Sequence, residues 1–310
     1  MNVHFGLPGL RLGATVLTIG SFDGIHLGHR RILEEVVRQA GQQQLQSAIV
    51  TFEPHPRCVL DPANCPPEIT TLETRIRLLE EMGLAHVIVL EFNRQLAARS
   101  AESFMEQLGE GVALRHLVVG YDFALGRGRA GTVAWLKEYG ELKRYQLQVI
   151  PPFQLAEEAI HSSDIRRWLT TGDVERARSR LGRPFSLPGT VEVGDQIGRR
   201  IGWPTVNLAL PPNQLIPGRG IYAGLAKTSG GEYPAAISIG YRPTFDKTEL
   251  RVEAYLLDFE GDLYQQRVEL FFLARLRDEL RFESEEELAE AIGRDVEETR
   301  RVVRERRVSP

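Results

Sequence analysis

Two histidines three residues apart stand in the run Gly20-Ser21-Phe22-Asp23-Gly24-Ile25-His26-Leu27-Gly28-His29, between an apolar stretch and a helix-like one. Orphan amides and the helix dipole make such a helix start attractive to phosphate. Imidazoles aimed at the same point can donate to bridging and non-bridging phosphate oxygens, and Gly28 lets a nucleotide approach the backbone closely. This is equipment for nucleotidyl transfer, with Gly20, Phe22, Asp23, Gly24, His26, Gly28 and His29 as the candidate nucleotide loop. The chemistry needs little covalent help. Alignment of the attacking phosphate and stabilisation of the leaving pyrophosphate do most of it. The competing reading of an isolated His-x-Gly-His is two capping histidines in a tight turn, and the Gly-x-Phe-Asp-Gly in front weighs against it.

A second phosphate-loop candidate is Ile160-His161-Ser162-Ser163-Asp164-Ile165-Arg166. Hydroxyls of Ser162 and Ser163 at a helix start, with Arg166 one turn in, make a triphosphate clamp, although Ser-Ser-Asp is also an ordinary N-cap. Between the two lies a glycine-rich loop, Val119 to Arg129, holding Asp122.

The elements that must carry these loops alternate in type. Ala14–Ile19, Ser47–Phe52, His86–Phe92, Arg115–Val119 and Leu147–Ile150 read as short buried strands. Arg30–Ala40, Leu72–Met82, Ala101–Leu108 and Thr132–Tyr139 read as helices. This alternation predicts an α/β domain, a parallel sheet with helices on both faces and ligands at the carboxyl ends of the strands. Two short helices follow between Ser162 and Gly182. The stretch Gly182 to Gly189, GRPFSLPG, is the best linker candidate. Beyond it the helices stop. Thr190–Val193, Ile221–Ala226, Pro234–Ile239, Leu250–Phe259 and Val268–Phe272 read as strands between turns, favouring a small antiparallel β-barrel. A terminal helix follows, with Ser284 and Glu287 at capping-box spacing and Leu288, Ile292 and Val296 on one face.

Composition sets the outer limits. The 310 residues suggest two domains at roughly 150 residues each, and 42% apolar with 26% charged residues is ordinary globular usage. A net charge of −4 excludes a nucleic-acid binder that works through global basicity. Only four of the 38 basic residues are lysine, and none follows a P-loop pattern, so a P-loop ATPase or kinase is excluded. Cys58 and Cys65 have neither redox CxxC nor zinc spacing and are expected to be unpaired thiols in a reducing cytosol. With no signal-peptide pattern and no long apolar run, a cytoplasmic protein without a membrane partner is expected.

The ordered set of motifs resembles the bacterial bifunctional riboflavin kinase/FAD synthetase (FMN adenylyltransferase) family, collinear over nearly the whole chain. It runs from GSFDGIHLGH through TFEPHP (Thr51 to Pro56) and VGYDF into the barrel. The resemblance implies a Rossmann-like nucleotidyltransferase domain over 1–183 that adenylylates FMN to FAD. It implies a riboflavin kinase barrel over 184–310 that makes FMN, with ATP and Mg²⁺ serving both reactions. In the first domain His26 and His29 would act on the ATP phosphates, and Ser162, Ser163 and Arg166 would hold the triphosphate. Asp122 would lie at the reaction centre, and Phe52, Pro54 and His55 would lie near the flavin. In the second, Gly198 to Asn207 resembles the family's nucleotide loop, with Gly198 and Arg199 on the nucleotide. Thr205 and Asn207 offer neutral oxygens suited to Mg²⁺, the alternative being a capped turn between strands. Glu253 occupies the family's catalytic position, and strand alternation puts it on a face with Arg251 and Tyr255. Without the resemblance it would be a surface glutamate on an amphipathic strand. Arg277 either contacts the flavin or pairs with a neighbouring carboxylate. Pro243-Thr244-Phe245 also matches a family block. The chain departs from common family residues at His161, Leu125, Ser238 and Tyr255. The different-class reading is a flavin-binding regulator that has lost turnover. Against it, the phosphate-binding and base positions are all filled. Another His-x-Gly-His adenylyltransferase would leave the barrel unexplained.

Overall fold

The computed structural model describes every residue except 156–157, 195–197, 199–201, 244–247 and 309–310. The chain divides into two compact units, Met1–Ser162 and Ser163–Pro310.

The first unit is built on six strands: β1 (Asn2–Phe5), β2 (Leu12–Ile19), β3 (Gln46–Glu53), β4 (His86–Glu91), β5 (Val112–Gly120) and β6 (Gln146–Ile150). They form one sheet in the order β1-β4-β3-β2-β5-β6, with every neighbouring pair parallel. Alternation along β2 sends Leu17 and Ile19 into one buried cluster and Val16 into another. Both faces are therefore covered, as parallel sheets require. Helices α1 (Leu27–Gln43), α3 (Leu72–Glu81), α4 (Ala101–Gly111) and α5 (Val133–Lys143) supply the cover, and a short α2 (Pro56–Leu60) follows β3. In α1 the buried positions are Leu33, Val36 and Ala40, the spacing of one apolar stripe. The chain runs outward from β2 to β3 and β4, then returns to place β5 on the other side of β2. The carboxyl ends of β2 and β5 thus form the topological switch point, where such sheets open a crevice for ligands.

Strand β1 is absent from the sequence reading, because four residues with an exposed end carry too little periodicity. It sets His4 against His86, with Nε2 and Nδ1 3.1 Å apart. Burial, and then the nearby His4 and N-terminal charges, hold the His86 imidazole below its ordinary value. A depressed histidine favours the neutral form in the fold. It contributes stability above about pH 6.5, and that contribution is lost as pH falls through the lower, folded value. His86→Gln should therefore flatten the acid-side fall in Tm of the first unit, as differential scanning calorimetry between pH 7 and 5 would register.

The second unit contains α7 (Val174–Leu181) and a closed barrel, and helix α6 (Ser162–Thr170) starts at the division between the units. The barrel strands are β7 (Phe185–Glu192), β8 (Thr205–Ala209), β9 (Gly220–Thr228), β10 (Gly231–Pro243), β11 (Thr248–Leu256) and β12 (Arg267–Arg277). All six pairings are antiparallel, in the cyclic order β7-β8-β11-β10-β9-β12. Leu187, Val191, Tyr222, Ile237, Val252, Leu270 and Phe272 fill it. The terminal helix α8 (Glu285–Val308) packs Val302 and Val303 against barrel residues Ala223 and Leu273.

Most of the proline- and glycine-rich stretch expected as a linker, from Phe185 to Gly189, is part of β7, and Gly182 caps α7. Pro188 pairs with Glu269 of β12, while β8 joins β7 only at Thr190–Glu192. The ring nitrogen therefore faces an unpaired edge, where the missing N–H costs no ladder bond.

Candidate functional site

In the first unit the candidate nucleotide loop leaves β2 in an unusual backbone conformation. Phe22 and Ile25 have positive φ, and so does Gly24 at 83°. Two bulky residues there store strain of order 1–3 kcal/mol each, so the surroundings must hold them. Asp23 does so. Its buried carboxylate accepts hydrogen bonds from the Ile69 and Thr70 amides at 3.0 and 2.9 Å and from the Thr70 hydroxyl at 3.1 Å. The Gly24 amide in turn donates to Thr70 Oγ1. Asp23 is thus turned inward and serves the loop's shape, which a motif alone does not distinguish from ligand contact.

His26 caps α1, its Nδ1 accepting the His29 amide at 3.2 Å. With Nδ1 an acceptor, the neutral ring carries its proton on Nε2, leaving that nitrogen as a donor. The His26 and His29 rings stack with centroids 3.6 Å apart, and Phe22 packs against His29. A Cβ on Gly28 would meet the His26 ring at 3.2 Å. Gly28 therefore makes room for the imidazole.

Two cavities flank this loop. A polar one of about 250 Å³ is lined by His26, Gly28, His29, Asp122, His161 and Ser162. Ser162 Oγ also donates to the Asp23 carbonyl. The second, about 580 Å³, is largely apolar, with Ser21, Phe52, His55, Phe92, Phe104 and Phe123 among its walls. The loop after β5 serves both, giving Asp122 to the first and Phe123 and Leu125 to the second. Gly20 lines the apolar cavity; Pro54 lines neither. Ser163 and Arg166 fall within the second compact unit. The aromatic walls Phe92 and Phe104 were missed from sequence, since each comes from a different element and carries no local motif. Phe92 meets Phe52 edge to face at 5.5 Å.

The sequence expectation of free thiols is overturned. Cys58 and Cys65 form a disulfide, bracketing the turn that follows α2. Six intervening residues that double back bring the two Cα atoms to 4.2 Å. Thiol titration of the folded, unreduced protein should find neither cysteine reactive, and two after reduction.

The second unit presents its polar cluster on the outer face of the barrel. Val252, Ala254 and Leu256 point inward and are buried, so Arg251, Glu253 and Tyr255 face out as alternation predicts. Asn207 of β8 and Ser238 of β10 lie directly opposite Glu253 from its two sides, and Thr205 lies opposite Tyr255. Directly opposed residues share a face. The Thr205 hydroxyl donates to Glu253 Oε2 at 3.2 Å. Asn207 Oδ1 is buried with no hydrogen-bond partner among the described residues. A cavity of about 630 Å³ here is lined by Gly198, Thr205, Ser238, Glu253 and Tyr255, and by Leu288 and Ile292 from α8. Arg199, Thr244 and Phe245 lie outside the described residues.

Arg277 also lines this cavity, but its guanidinium is engaged. Nε and Nη2 hold Asp295 of α8 at 2.9 and 2.6 Å. A pair with a carboxylate, one of the two sequence alternatives, is formed. The pair ties α8 to the end of β12. Asp295→Ala should destabilise the second unit by about 1.5–3 kcal/mol, the worth of charge-assisted bonds. Because α8 walls the cavity, the KM for the barrel's substrate should rise with it, which steady-state kinetics alongside thermal unfolding would measure.

A His-x-Gly-His loop at the switch point of a parallel α/β sheet, followed by a closed barrel with a carboxylate beside the Thr205 and Asn207 side chains, defines a two-domain protein with two candidate nucleotide sites. The family model for FAD synthetase matches residues 11–164, and that for riboflavin kinase matches 181–303. The chain is 34% identical over 289 residues to the bifunctional riboflavin kinase/FMN adenylyltransferase of Listeria monocytogenes, covering 92% of this chain and 91% of the relative. It is also 34% identical to the enzymes of that name from Bacillus subtilis (92% and 91% covered) and Escherichia coli K12 (90% and 90%). A crystal structure described as a macrolide-efflux protein of Streptococcus pneumoniae shares the fold, with a TM-score of 0.89 and 29% identity over 96% of this chain and 98% of that one. This chain belongs to the bifunctional riboflavin kinase/FMN adenylyltransferase family. Among the described residues no helix is long and apolar enough to cross a membrane.

Proposed function

We propose that the barrel phosphorylates riboflavin to FMN and that the α/β unit adenylylates FMN to FAD, releasing pyrophosphate, with ATP as the second substrate of both reactions. The observation that carries this reading is the pairing, in one chain, of the His26–His29 loop with the Thr205–Asn207–Glu253 cluster.

In the α/β unit the apolar cavity accommodates the isoalloxazine of FMN, with Phe52, Phe92 and Phe123 as its walls. The polar cavity takes the ATP phosphates. The FMN phosphate attacks the α-phosphorus, and pyrophosphate departs. His26 donates through Nε2 to the charge that develops, with His29 stacked on it and the α1 amides behind. Asp122 stands at the reaction centre.

In the barrel, riboflavin occupies the cavity under α8, and its terminal ribityl hydroxyl meets Glu253. Glu253 accepts that proton as the oxygen attacks the γ-phosphorus of ATP. The Thr205 hydroxyl, by donating to Glu253, fixes the carboxylate and keeps its own lone pairs for a cation. The unpartnered Asn207 Oδ1 fits the same role. Thr205 and Asn207 would hold Mg²⁺, which supplies charge neutralisation at the nucleotide phosphates. The enzyme works in the cytoplasm, where ATP is abundant.

The test is to incubate the purified protein with ATP and Mg²⁺ plus riboflavin, and separately plus FMN, and to resolve the flavins chromatographically. Riboflavin should yield FMN and then FAD, and supplied FMN should yield FAD. FMN accumulating without FAD at high ATP would sink the adenylyltransferase assignment. Conversion of FMN but not of riboflavin would sink the kinase assignment.

A further inference from the structure

Arg75 is the largest fully buried side chain among the described residues, 1% exposed, on the inward face of α3. Its Nη1 donates to three oxygens at once: the Ser21 carbonyl at 3.2 Å, Thr51 Oγ1 at 3.2 Å and the Phe52 carbonyl at 3.1 Å. Thr51 Oγ1 itself donates to the Ser21 carbonyl at 3.0 Å. One guanidinium therefore ties the loop leaving β2 to the end of β3, and these two segments supply Ser21 and Phe52 to the apolar cavity. The carboxylate paired with it is Glu53, at 3.5 Å and one-third exposed. Arg75 Nε is buried with no partner among the described residues.

An arrangement of this kind is costly. A buried cation with one distant carboxylate is less stable than a well-packed apolar side chain of the same volume, so packing alone does not account for arginine here. What the charge does have is position. It lies beneath the carboxyl ends of β2 and β3, behind the Ser21 and Phe52 walls of the apolar cavity and beside the loop that leads to His26.

We infer that Arg75 is a positioning residue for adenylyl transfer, setting the nucleotide loop and the flavin-side strand end in the register that aligns the FMN phosphate on the α-phosphorus of ATP. Arg75 lines neither cavity and would act through the walls it bonds. The inference rests on the proposed FMN adenylyltransferase activity of this unit. Loss of alignment lowers turnover more than affinity. Lysine keeps the charge and can still donate to the carbonyls, whereas methionine fills the space without either.

The test uses the full-length chain and Arg75→Met, Arg75→Lys and Thr51→Val, assayed for FAD formation from FMN and for riboflavin phosphorylation, with thermal unfolding of each. Arg75→Met should lower kcat for FAD formation at least about tenfold with KM for FMN changed less than about threefold. Arg75→Lys should recover kcat to within about threefold of the parent. Riboflavin phosphorylation should be unchanged throughout. An Arg75→Met protein with the parent's kcat would overturn the inference, as would a loss that follows Tm and is not rescued by lysine. Should Arg75→Met leave the first unit unfolded, Thr51→Val decides. It removes the shared hydroxyl and should lower kcat at least about threefold, and an unchanged kcat would again overturn the inference. A parent protein that makes no FAD from FMN would instead refute the activity itself.

Discussion

His26→Ala should abolish FAD formation while leaving riboflavin phosphorylation intact. Two contributions go with the ring. One is the cap on α1, worth about 1 kcal/mol, which the closely packed first unit can lose and remain folded. The other is the Nε2 donor to the phosphates, and losing one such pre-organised donor costs about 10²–10³ in turnover. His29 loses its stacking partner at the same time, so the deficit should reach the upper part of that range or exceed it. The checking measurement is the rate of FAD production from FMN beside the rate of FMN production from riboflavin, on one preparation. Loss of both rates together would argue against separate sites.

Glu253→Gln should have the complementary effect, abolishing riboflavin phosphorylation while supplied FMN is still converted to FAD. The amide keeps the size of the carboxylate and can still accept from Thr205, so the barrel should fold and α8 should stay in place. What it cannot do is accept the ribityl proton. Removing a general base costs about 10²–10⁴ in turnover, and here the substituted group also sits between Asn207 and Ser238, where the nucleotide cation is expected.

Much of this fold was legible because its signals are local. Ile19 ends a buried strand and His26 caps the next helix, so the strand–loop–helix unit that carries the proposed phosphate site is contained in one stretch. Strict alternation along Leu250–Leu256 likewise fixed the face that carries Glu253. What escaped was long-range. The role of Asp23 depends on Ile69 and Thr70, and that of Gly28 depends on how the His26 ring lies. Pro188 reads as a breaker until the unpaired edge of β7 is known. The disulfide depended on the turn between its cysteines, and the engagement of Arg277 on where α8 returns. Arg75 did leave a trace. It falls one turn before Leu79 on the apolar stripe of α3, where a cation has no place unless its guanidinium finds hydrogen-bond acceptors.

The lysine scarcity now has a structural meaning. Neither site needs a P-loop lysine. In the proposed reading one takes imidazoles at a helix start and the other threonine and asparagine oxygens beside a carboxylate.

The central claim is that one chain carries two reactions of different regiochemistry on ATP, and isotope labelling tests it most directly. The protein is given riboflavin with ATP labelled at the γ-phosphorus in one tube and at the α-phosphorus in another. The γ-label should appear in FMN and be retained in FAD, while the α-label should appear in FAD and never in FMN. Label from the α-phosphorus in FMN, or FAD free of α-label, would contradict it.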